Sequence, residues 1–183
     1  MFSNDKIERF YEIIIEKQSY GGDAMGRLPD GRAVFVPFGL AGERVRVRLT
    51  EEKKNFARGE ILQILDSSKD RIQPRCKHFG ECGGCHYQHL PYEKQLEIKT
   101  EILVDQLKRI GKIENPPVQP MIACPTPWNY RNHMQFSLDE HGKLGFQAPN
   151  SNKIIPIAEC HLPEPSINDF WHQLEFEPET DIE

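Results

Sequence analysis

The chain has 183 residues, of which 38% are apolar and 28% charged, and its formal net charge is −5 at pH 7. A chain of this length forms one ordinary domain or two small ones, and 14 prolines with 13 glycines favour two small units. The charged N-terminus lacks the apolar run of a signal peptide, and no segment approaches the roughly 20 apolar residues that span a membrane. We therefore expect a cytoplasmic protein without a membrane partner.

The negative charge is concentrated at one end. Residues 159–183 contain eight acidic residues and no Lys or Arg, so residues 1–158 hold 23 basic against 20 acidic side chains. The net charge argues against polyanion binding by the whole chain but leaves a mildly basic body. We interpret the acidic end as a solvated segment without a function of its own.

Residues 11–65 have the pattern of short β-strands. The runs "FYEIIIEK", "AVFVPF", "ERVRVRL" and "FARGEILQIL" are rich in β-branched or alternating apolar residues and are separated by turn residues. Asp30-Gly31 predicts a hairpin, because glycine tolerates the positive φ of tight turns. Several short strands in about 60 residues favour a small barrel or sandwich, and a five-stranded OB-like barrel suits the length.

One predicted strand carries a row of arginines. In "ERVRVRL", Val45, Val47 and Leu49 alternate with Arg44, Arg46 and Arg48. A row of guanidinium groups matches the spaced phosphates of a nucleic acid. The pattern alone, however, favours the plain solvent side of a half-buried strand.

Helical spacing replaces the strand pattern after Leu90. "LPYEKQLEIKTEILVDQLKRIG" places Leu96, Leu103 and Leu107 on one face, which predicts a helix of about 18 residues. The proline-rich segment that follows reads as a linker or a domain entry. "HMQFSL" and "KLGFQ" then predict a hairpin, and "KIIPI" predicts an edge strand because of its proline.

The densest chemical pattern is "CKHFGECGGC", which holds Cys76, Cys82 and Cys85. In a reducing cytosol, clustered thiols bind metals or catalyse more often than they form disulfides. Three cysteines within ten residues, with glycines that let the backbone wrap closely, predict ligation of a metal or cluster. The spacing leaves two alternatives open: zinc completed by one of the histidines His78, His86 and His89, or an iron–sulfur cluster completed by Cys124 or Cys160.

The segment "RIQPRCKHFGECGGCHYQHL" resembles the iron–sulfur loop of the TRAM-domain RNA (uracil-C5)-methyltransferases. "GGDAMGRLPDGRAVFVPFGLAGERVRVRL" is similar to their OB-like TRAM barrel, and "PWNYRNHMQFSLDEHGKLGFQ" with "IIPIAECHL" is similar to the start of their central domain. In this family a [4Fe-4S] cluster is held by the loop cysteines and a distant fourth one. The resemblance thus implies Cys76, Cys82, Cys85 and Cys160 as ligands, and it leaves Cys124 as an ordinary small buried residue.

The resemblance implies a mixed β and α+β fold in three parts: a TRAM-like barrel over residues 1–70, the iron–sulfur loop and helix over 71–111, and a partial α+β central domain over 112–183. It implies RNA as the partner, rRNA more than tRNA. It shifts the interpretation of Arg44, Arg46 and Arg48 toward RNA contact. It also adds Tyr130, Arg131, Asn132 and His133 as RNA-binding candidates, although Trp128 and Tyr130 suit a domain core equally well.

The family's chemistry is methyl transfer from S-adenosylmethionine to C5 of uracil, with a nucleophilic cysteine and an acidic base in a Rossmann-like domain. No glycine-rich strand–loop–helix fingerprint occurs in these 183 residues. We therefore assign no catalytic residue and do not expect activity from this chain alone. Two alternatives remain: a stand-alone RNA-binding iron–sulfur module that assists another enzyme, and a zinc-stabilised interaction protein.

Overall fold

The computed structural model describes residues 9–176. Residues 177–183, which carry four of the eight C-terminal acidic residues, lie outside this range. Two compact units are present: the first comprises the chain through Ile72 together with His89–Met121, and the second comprises Gln73–Gln88 together with the chain from Ile122. The structure therefore divides the predicted segment 71–111 between two units, because the cysteine loop belongs to the second unit and the helix to the first.

The first unit is built on a closed five-stranded barrel. Its strands are β1 (Phe10–Gln18), β2 (Asp23–Arg27), β3 (Ala33–Pro37), β4 (Arg44–Glu52) and β5 (Phe56–Asp66). They follow the order β1-β2-β3-β5-β4, in which only the β3–β5 pair is parallel. The predicted OB-like barrel is confirmed.

Strand β2 is the barrel element that the sequence pattern missed. Its residues "DAMGR" lie in a segment rich in turn residues, and its glycine weakens the strand pattern. The structure gives the reason for this glycine, since a Cβ at Gly26 would lie 2.6 Å from the carbonyl oxygen of Ile14 on β1. The predicted Asp30-Gly31 turn joins β2 to β3, and Gly31 has a φ of +86°.

Alternation along the strands creates the barrel core. Val45 and Val47 are completely buried, as their spacing predicts, and they pack with Ile13, Ile15 and Val34. The intervening side chains of β4 face outward. Burial of these aliphatic side chains supplies the main stabilisation of the barrel.

A buried ion pair lies beside this core. The Glu43 carboxylate is fully buried, and both of its oxygens accept hydrogen bonds of 2.7 Å from the Arg71 guanidinium. The backbone N–H groups of Leu40 and Ser68 donate to the same carboxylate. Burial opposes ionisation of Glu43, but these hydrogen bonds outweigh it and hold the pKa of the carboxyl below its usual value.

The predicted helix is confirmed as α1 (Tyr92–Arg109). Its apolar face is only partly covered, and Leu103 remains 45% exposed. Lys17 of β1 donates a 2.7 Å hydrogen bond to Asp105, which links the helix to the barrel. Within residues 9–176, no helix combines the length and apolar character required to cross a membrane.

The second unit contains β6 (Ser137–Leu138), β7 (Leu144–Gln147), β8 (Ile154–Pro156) and the short helix α2 (Pro165–Trp171). The strands form an antiparallel sheet in this order, with β8 at an edge as its proline predicts. Phe136 stacks on Phe146 at 5.0 Å between ring centroids and also packs against Trp171.

The predicted strand "HMQFSL" is wrong in length, because only Ser137 and Leu138 pair with β7. The physical reason lies in the cysteine loop. The N–H of Gly83 donates to the carbonyl of Gln147 at 2.9 Å, so the loop occupies the part of β7 beside which residues 135 and 136 would continue the strand.

Candidate cluster site

The cysteine loop is a series of tight turns held against β7. The N–H of Cys82 donates to the carbonyl of His78 at 2.9 Å, and Gly80 has a φ of +96°. Gly83 must lack a side chain, because a Cβ there would lie 2.8 Å from the Gln147 carbonyl oxygen. The glycines predicted to let the backbone wrap closely therefore fix how the loop lies on the sheet.

The four cysteines implied as ligands line one cavity within the second unit. The cavity volume is about 50 Å³, well above the roughly 10–15 Å³ that a single water needs. Cys160 follows Cys85 by 75 residues in the sequence, and the fold brings it to the loop. The cavity is lined by Cys76, Cys82, Cys85 and Cys160 together with mainly apolar side chains such as Phe79, Met134, Phe146 and Ile157.

Each of the four sulfurs has an N–H group directed at it. The backbone N–H groups of His78 and Phe79 donate to the sulfur of Cys76, and the N–H of Leu162 donates to the sulfur of Cys160. The N–H of Gly84 lies 3.4 Å from the sulfur of Cys82. The side-chain amide of Gln88 donates to the sulfur of Cys85 at 3.2 Å. N–H groups directed at sulfur are typical of metal-bound thiolates, because they stabilise the negative charge.

Burial raises the pKa of the Cys76, Cys85 and Cys160 thiols, and the proximity of the other sulfurs raises it further. These groups therefore remain neutral thiols at pH 7 unless a cation joins them, since bringing several thiolates together in an apolar cavity is costly. A metal centre would supply the missing positive charge.

The site does not have the geometry of a single-ion centre. Within residues 9–176, no three side chains of His, Cys, Asp or Glu are arranged to hold one metal ion. A zinc ion requires thiolates about 2.3 Å from the metal, and therefore about 3.8 Å from one another. In a [4Fe-4S] cluster each thiolate binds a different iron, so the sulfurs lie farther apart. Four cysteines are a donor set that both zinc and an iron–sulfur cluster take.

None of the three candidate histidines completes the set of ligands in this structure. The Nε2 atom of His78 accepts a hydrogen bond from the Ala158 N–H at 3.1 Å. His86 is exposed and packs edge-on against Tyr87. His89 is buried in the first unit, and burial lowers its pKa to about 4, which keeps it neutral.

Cys124 is exposed, which corrects the expectation that it is a small buried residue. Its thiol donates a 3.2 Å hydrogen bond to the carbonyl of Thr126. It does not line the cavity, although it lies in the same unit. The exposure has a local reason, because residues 121–126 form an irregular proline-containing segment.

The arginine row lies on the outer face of β4, with each guanidinium in ion pairs. Arg44 contacts Asp66 and Glu12, Arg46 contacts Glu12, and Arg48 contacts Glu60. These acidic partners come from the neighbouring strands β1 and β5. The positive charge of the row is therefore largely balanced, although exposed pairs of this kind are weak, with about 0.2–1 kcal/mol each.

The remaining candidates, Tyr130, Arg131, Asn132 and His133, are all exposed. Tyr130 is 50% exposed, so it is not the core aromatic that the sequence allowed. Arg131 also lines the cysteine cavity, where its charge favours the thiolate form of Cys85. One candidate RNA contact therefore borders the candidate cluster site.

Gln88 is the site residue that sequence reasoning missed. It is buried, its amide nitrogen donates to the sulfur of Cys85, and its oxygen accepts the Cys76 N–H at 3.0 Å. Gln88 is therefore hydrogen-bonded to both Cys76 and Cys85, the first and last cysteines of the loop. Its position three residues after Cys85 was the only signal in the sequence.

The barrel has a family match. Residues 7–62 match the model of the TRAM domain. This part of the chain is a TRAM domain. The match does not include the cysteine loop, and the TRAM domain coincides with the barrel through most of β5.

Similarity to known proteins extends beyond the TRAM domain. The chain is 42% identical over 89% of its length to an uncharacterized RNA methyltransferase of Caldanaerobacter subterraneus, and 38% identical over 86% to one of Aquifex aeolicus. It spans 36% and 37% of these relatives. The chain is therefore homologous to a region of RNA methyltransferases and corresponds to about a third of their length.

A solved structure is also similar to this chain over about a third of its own length. The tRNA (uracil-54, C5)-methyltransferase of Pyrococcus abyssi, in complex with S-adenosyl-L-homocysteine, superposes with a TM-score of 0.56 at 28% identity. The superposition covers 86% of this chain and 34% of that protein. Likeness in both sequence and fold thus extends across most of the chain.

Proposed function

We propose that this chain is the RNA-binding and [4Fe-4S]-binding region of an S-adenosylmethionine-dependent RNA (uracil-C5)-methyltransferase. Cys76, Cys82, Cys85 and Cys160 would hold the cluster. The observation that carries this proposal is the cavity into which all four cysteines are gathered, with an N–H group directed at every sulfur. The homology to RNA methyltransferases supports the rest of the proposal.

A bound cluster would be held by the three loop cysteines and by Cys160, and would thereby join the loop to the segment that contains Cys160. Because these parts are distant in sequence, such bonds would stabilise the second unit in the way a structural metal does. The residues of this chain then have defined tasks: Gln88 orients Cys85 and Cys76, and Gly83 lets the loop contact β7. We assign the site a structural role and no step of methyl transfer.

We place S-adenosylmethionine binding and catalysis in the two thirds of the relatives' length that this chain does not span. The solved neighbour in complex with S-adenosyl-L-homocysteine supports that cofactor class. RNA is the proposed partner, through the TRAM domain and the exposed residues 130–133. We expect rRNA rather than tRNA from the sequence, whereas the solved neighbour is named for tRNA. A reducing cytoplasm would suit the thiol ligands.

Anaerobic reconstitution with iron and sulfide tests the cluster. We expect a brown protein with broad visible absorption and about four irons and four sulfides per chain. Cys160→Ser should abolish this absorption, whereas Cys124→Ser, the matched control, should retain it. A colourless protein with one zinc per chain, which Cys160→Ser leaves bound, would favour the zinc-stabilised interaction protein and refute the cluster.

Titration of the loaded protein with fluorescein-labelled rRNA and tRNA fragments, at several salt concentrations, tests the proposed partner. The logarithm of the association constant should fall linearly with the logarithm of the salt concentration, by a slope of about −0.7 for each phosphate contacted on a single strand. Tighter binding of the rRNA fragment would support our expectation, and tighter binding of tRNA would refute that part. Absence of salt-dependent binding to either RNA would refute the RNA-binding function.

A further inference from the structure

Two aromatic residues and two arginines belong to the second unit, which also contains the cysteine site. The Arg75 guanidinium carbon lies 5.2 Å from the centre of the Trp128 ring, and Arg75 directly precedes Cys76 in the sequence. Tyr130 and Arg131 follow Trp128 and are exposed. We name these four residues the Trp128 surface. Trp128 is partly buried and packs edge-on against His161 at 6.1 Å between ring centroids, whereas Tyr130 is 50% exposed. Aromatic rings beside arginines are a means by which proteins stack and neutralise single-stranded RNA.

This surface is anchored to the segment that follows Cys160. The N–H groups of Asn129 and Arg131 each donate a 2.9 Å hydrogen bond to that segment, whose Glu164 N–H donates back to the Arg131 carbonyl. The side-chain amide of Asn129 adds a bond of 2.8 Å. The acceptors in the segment are the carbonyl groups of His161, Leu162 and Pro163.

The two segments that carry the Trp128 surface are therefore each connected to a different cysteine ligand. Arg75 is adjacent to Cys76, while residues 129–131 are hydrogen-bonded to the residues immediately after Cys160. Arg131 itself lines the cavity that all four cysteines share. Any bond that holds Cys76 and Cys160 together also holds Arg75 beside the ring of Trp128.

We propose that the Trp128 surface binds single-stranded RNA and that the cluster controls this binding by joining the two segments that form the surface. The inference rests on the proposed cluster and RNA-binding functions and adds a link between them. Without the cluster, the loop and the Cys160 segment are joined by hydrogen bonds such as those from the Ala158 N–H to His78 and from the Lys77 N–H to Glu159. RNA binding then bears more of the cost of fixing the two segments relative to each other. Cluster assembly and RNA affinity are thereby coupled.

The first experiment compares the loaded protein, the cluster-stripped protein and Cys160→Ser. Fluorescence anisotropy measures binding of a fluorescein-labelled oligouridylate of about 12 nucleotides, within the usual range for single-strand sites. We expect the stripped protein and Cys160→Ser to bind about tenfold more weakly than the loaded protein, which corresponds to one stacked base. Cys124→Ser, loaded with its cluster, should bind like the wild type.

The second experiment tests the surface while the cluster stays bound. Trp128→Leu and Arg75→Gln should each weaken RNA binding about five- to tenfold, with unchanged visible absorption of the cluster. Phe170→Leu removes an exposed aromatic ring from the same unit, and Arg109→Gln removes an exposed arginine from α1. These two controls should bind RNA like the wild type.

The outcomes separate this inference from the function on which it rests. Equal RNA affinity of the loaded and stripped proteins would overturn the inference and leave the proposed function standing. Wild-type RNA affinity in loaded Trp128→Leu and Arg75→Gln would overturn it as well. If the loaded protein binds no RNA, or if no cluster assembles, the proposed function fails and the inference fails with it.

Discussion

Glu43 is the residue whose replacement should most damage the first unit. Its carboxylate is fully buried and accepts four hydrogen bonds, two from the Arg71 guanidinium and two from backbone N–H groups. Glu43→Gln preserves the shape of the side chain but replaces one acceptor oxygen with an NH₂ group. That group would face N–H donors and leave the Arg71 charge without its counter-ion.

The geometry sets the size of the effect. The Arg71 side chain is only 20% exposed, so water cannot readily replace the lost carboxylate. Removal of one partner from a buried ion pair costs about 3–5 kcal/mol. We expect Glu43→Gln to lower the free energy of unfolding of the first unit by this amount. Asp105→Asn, which breaks the exposed pair with Lys17, should cost about 1 kcal/mol or less.

Amide hydrogen exchange is the appropriate assay, because both tryptophans, Trp128 and Trp171, belong to the second unit. Exchange of the barrel amides should accelerate roughly 100- to 5,000-fold in Glu43→Gln. Tryptophan fluorescence during urea unfolding then serves as an internal control for the second unit.

The double variant Glu43→Leu/Arg71→Met provides the decisive comparison. Apolar side chains of similar volume often replace a buried pair without loss, so most of the stability should return. The reasoning is refuted if Glu43→Gln costs under about 1 kcal/mol, which is the range of an exposed pair. It is refuted equally if the double variant is as unstable as the single one.

Two further predictions concern acid stability and the cysteine loop. The folded pKa of Glu43 lies below its ordinary value of 4.5. The ion pair of Glu43 therefore stabilises the first unit fully above pH 4.5, and this stabilisation is lost as the pH falls through the folded pKa. Exchange of the barrel amides should accelerate below pH 4.5, and Glu43→Gln should not show this acceleration. Gly83→Ala should destabilise the second unit by about 1–3 kcal/mol in urea unfolding, because its Cβ would meet the Gln147 carbonyl. Gly84→Ala should be tolerated, since its Cβ would meet only the sulfur of Cys82 at an ordinary 3.5 Å, and equal stability of the two variants would contradict the argument.

The barrel strands show which parts of the fold can be predicted from the local sequence pattern. Val45 and Val47 alternate with arginines, and this period of two predicts both the strand and its buried face. Strand β2 has no such pattern, because its glycine meets a constraint from β1 that is distant in the sequence. The overlong prediction for residues 133–138 has the same origin, since the cysteine loop takes the place of the strand beside β7.

The sequence by itself determined four of the five barrel strands, the helix α1 and the sulfur-rich chemistry of the loop, because periodicity and residue type are local properties. Only the tertiary structure decided which charges of the arginine row are balanced, since the acidic partners lie on β1 and β5. It also decided that Cys124 is exposed and that Gln88 joins two cysteines. The resemblance named Cys160 as the fourth ligand, but its place in the cavity depends on a chain reversal over 75 residues, which no local pattern encodes.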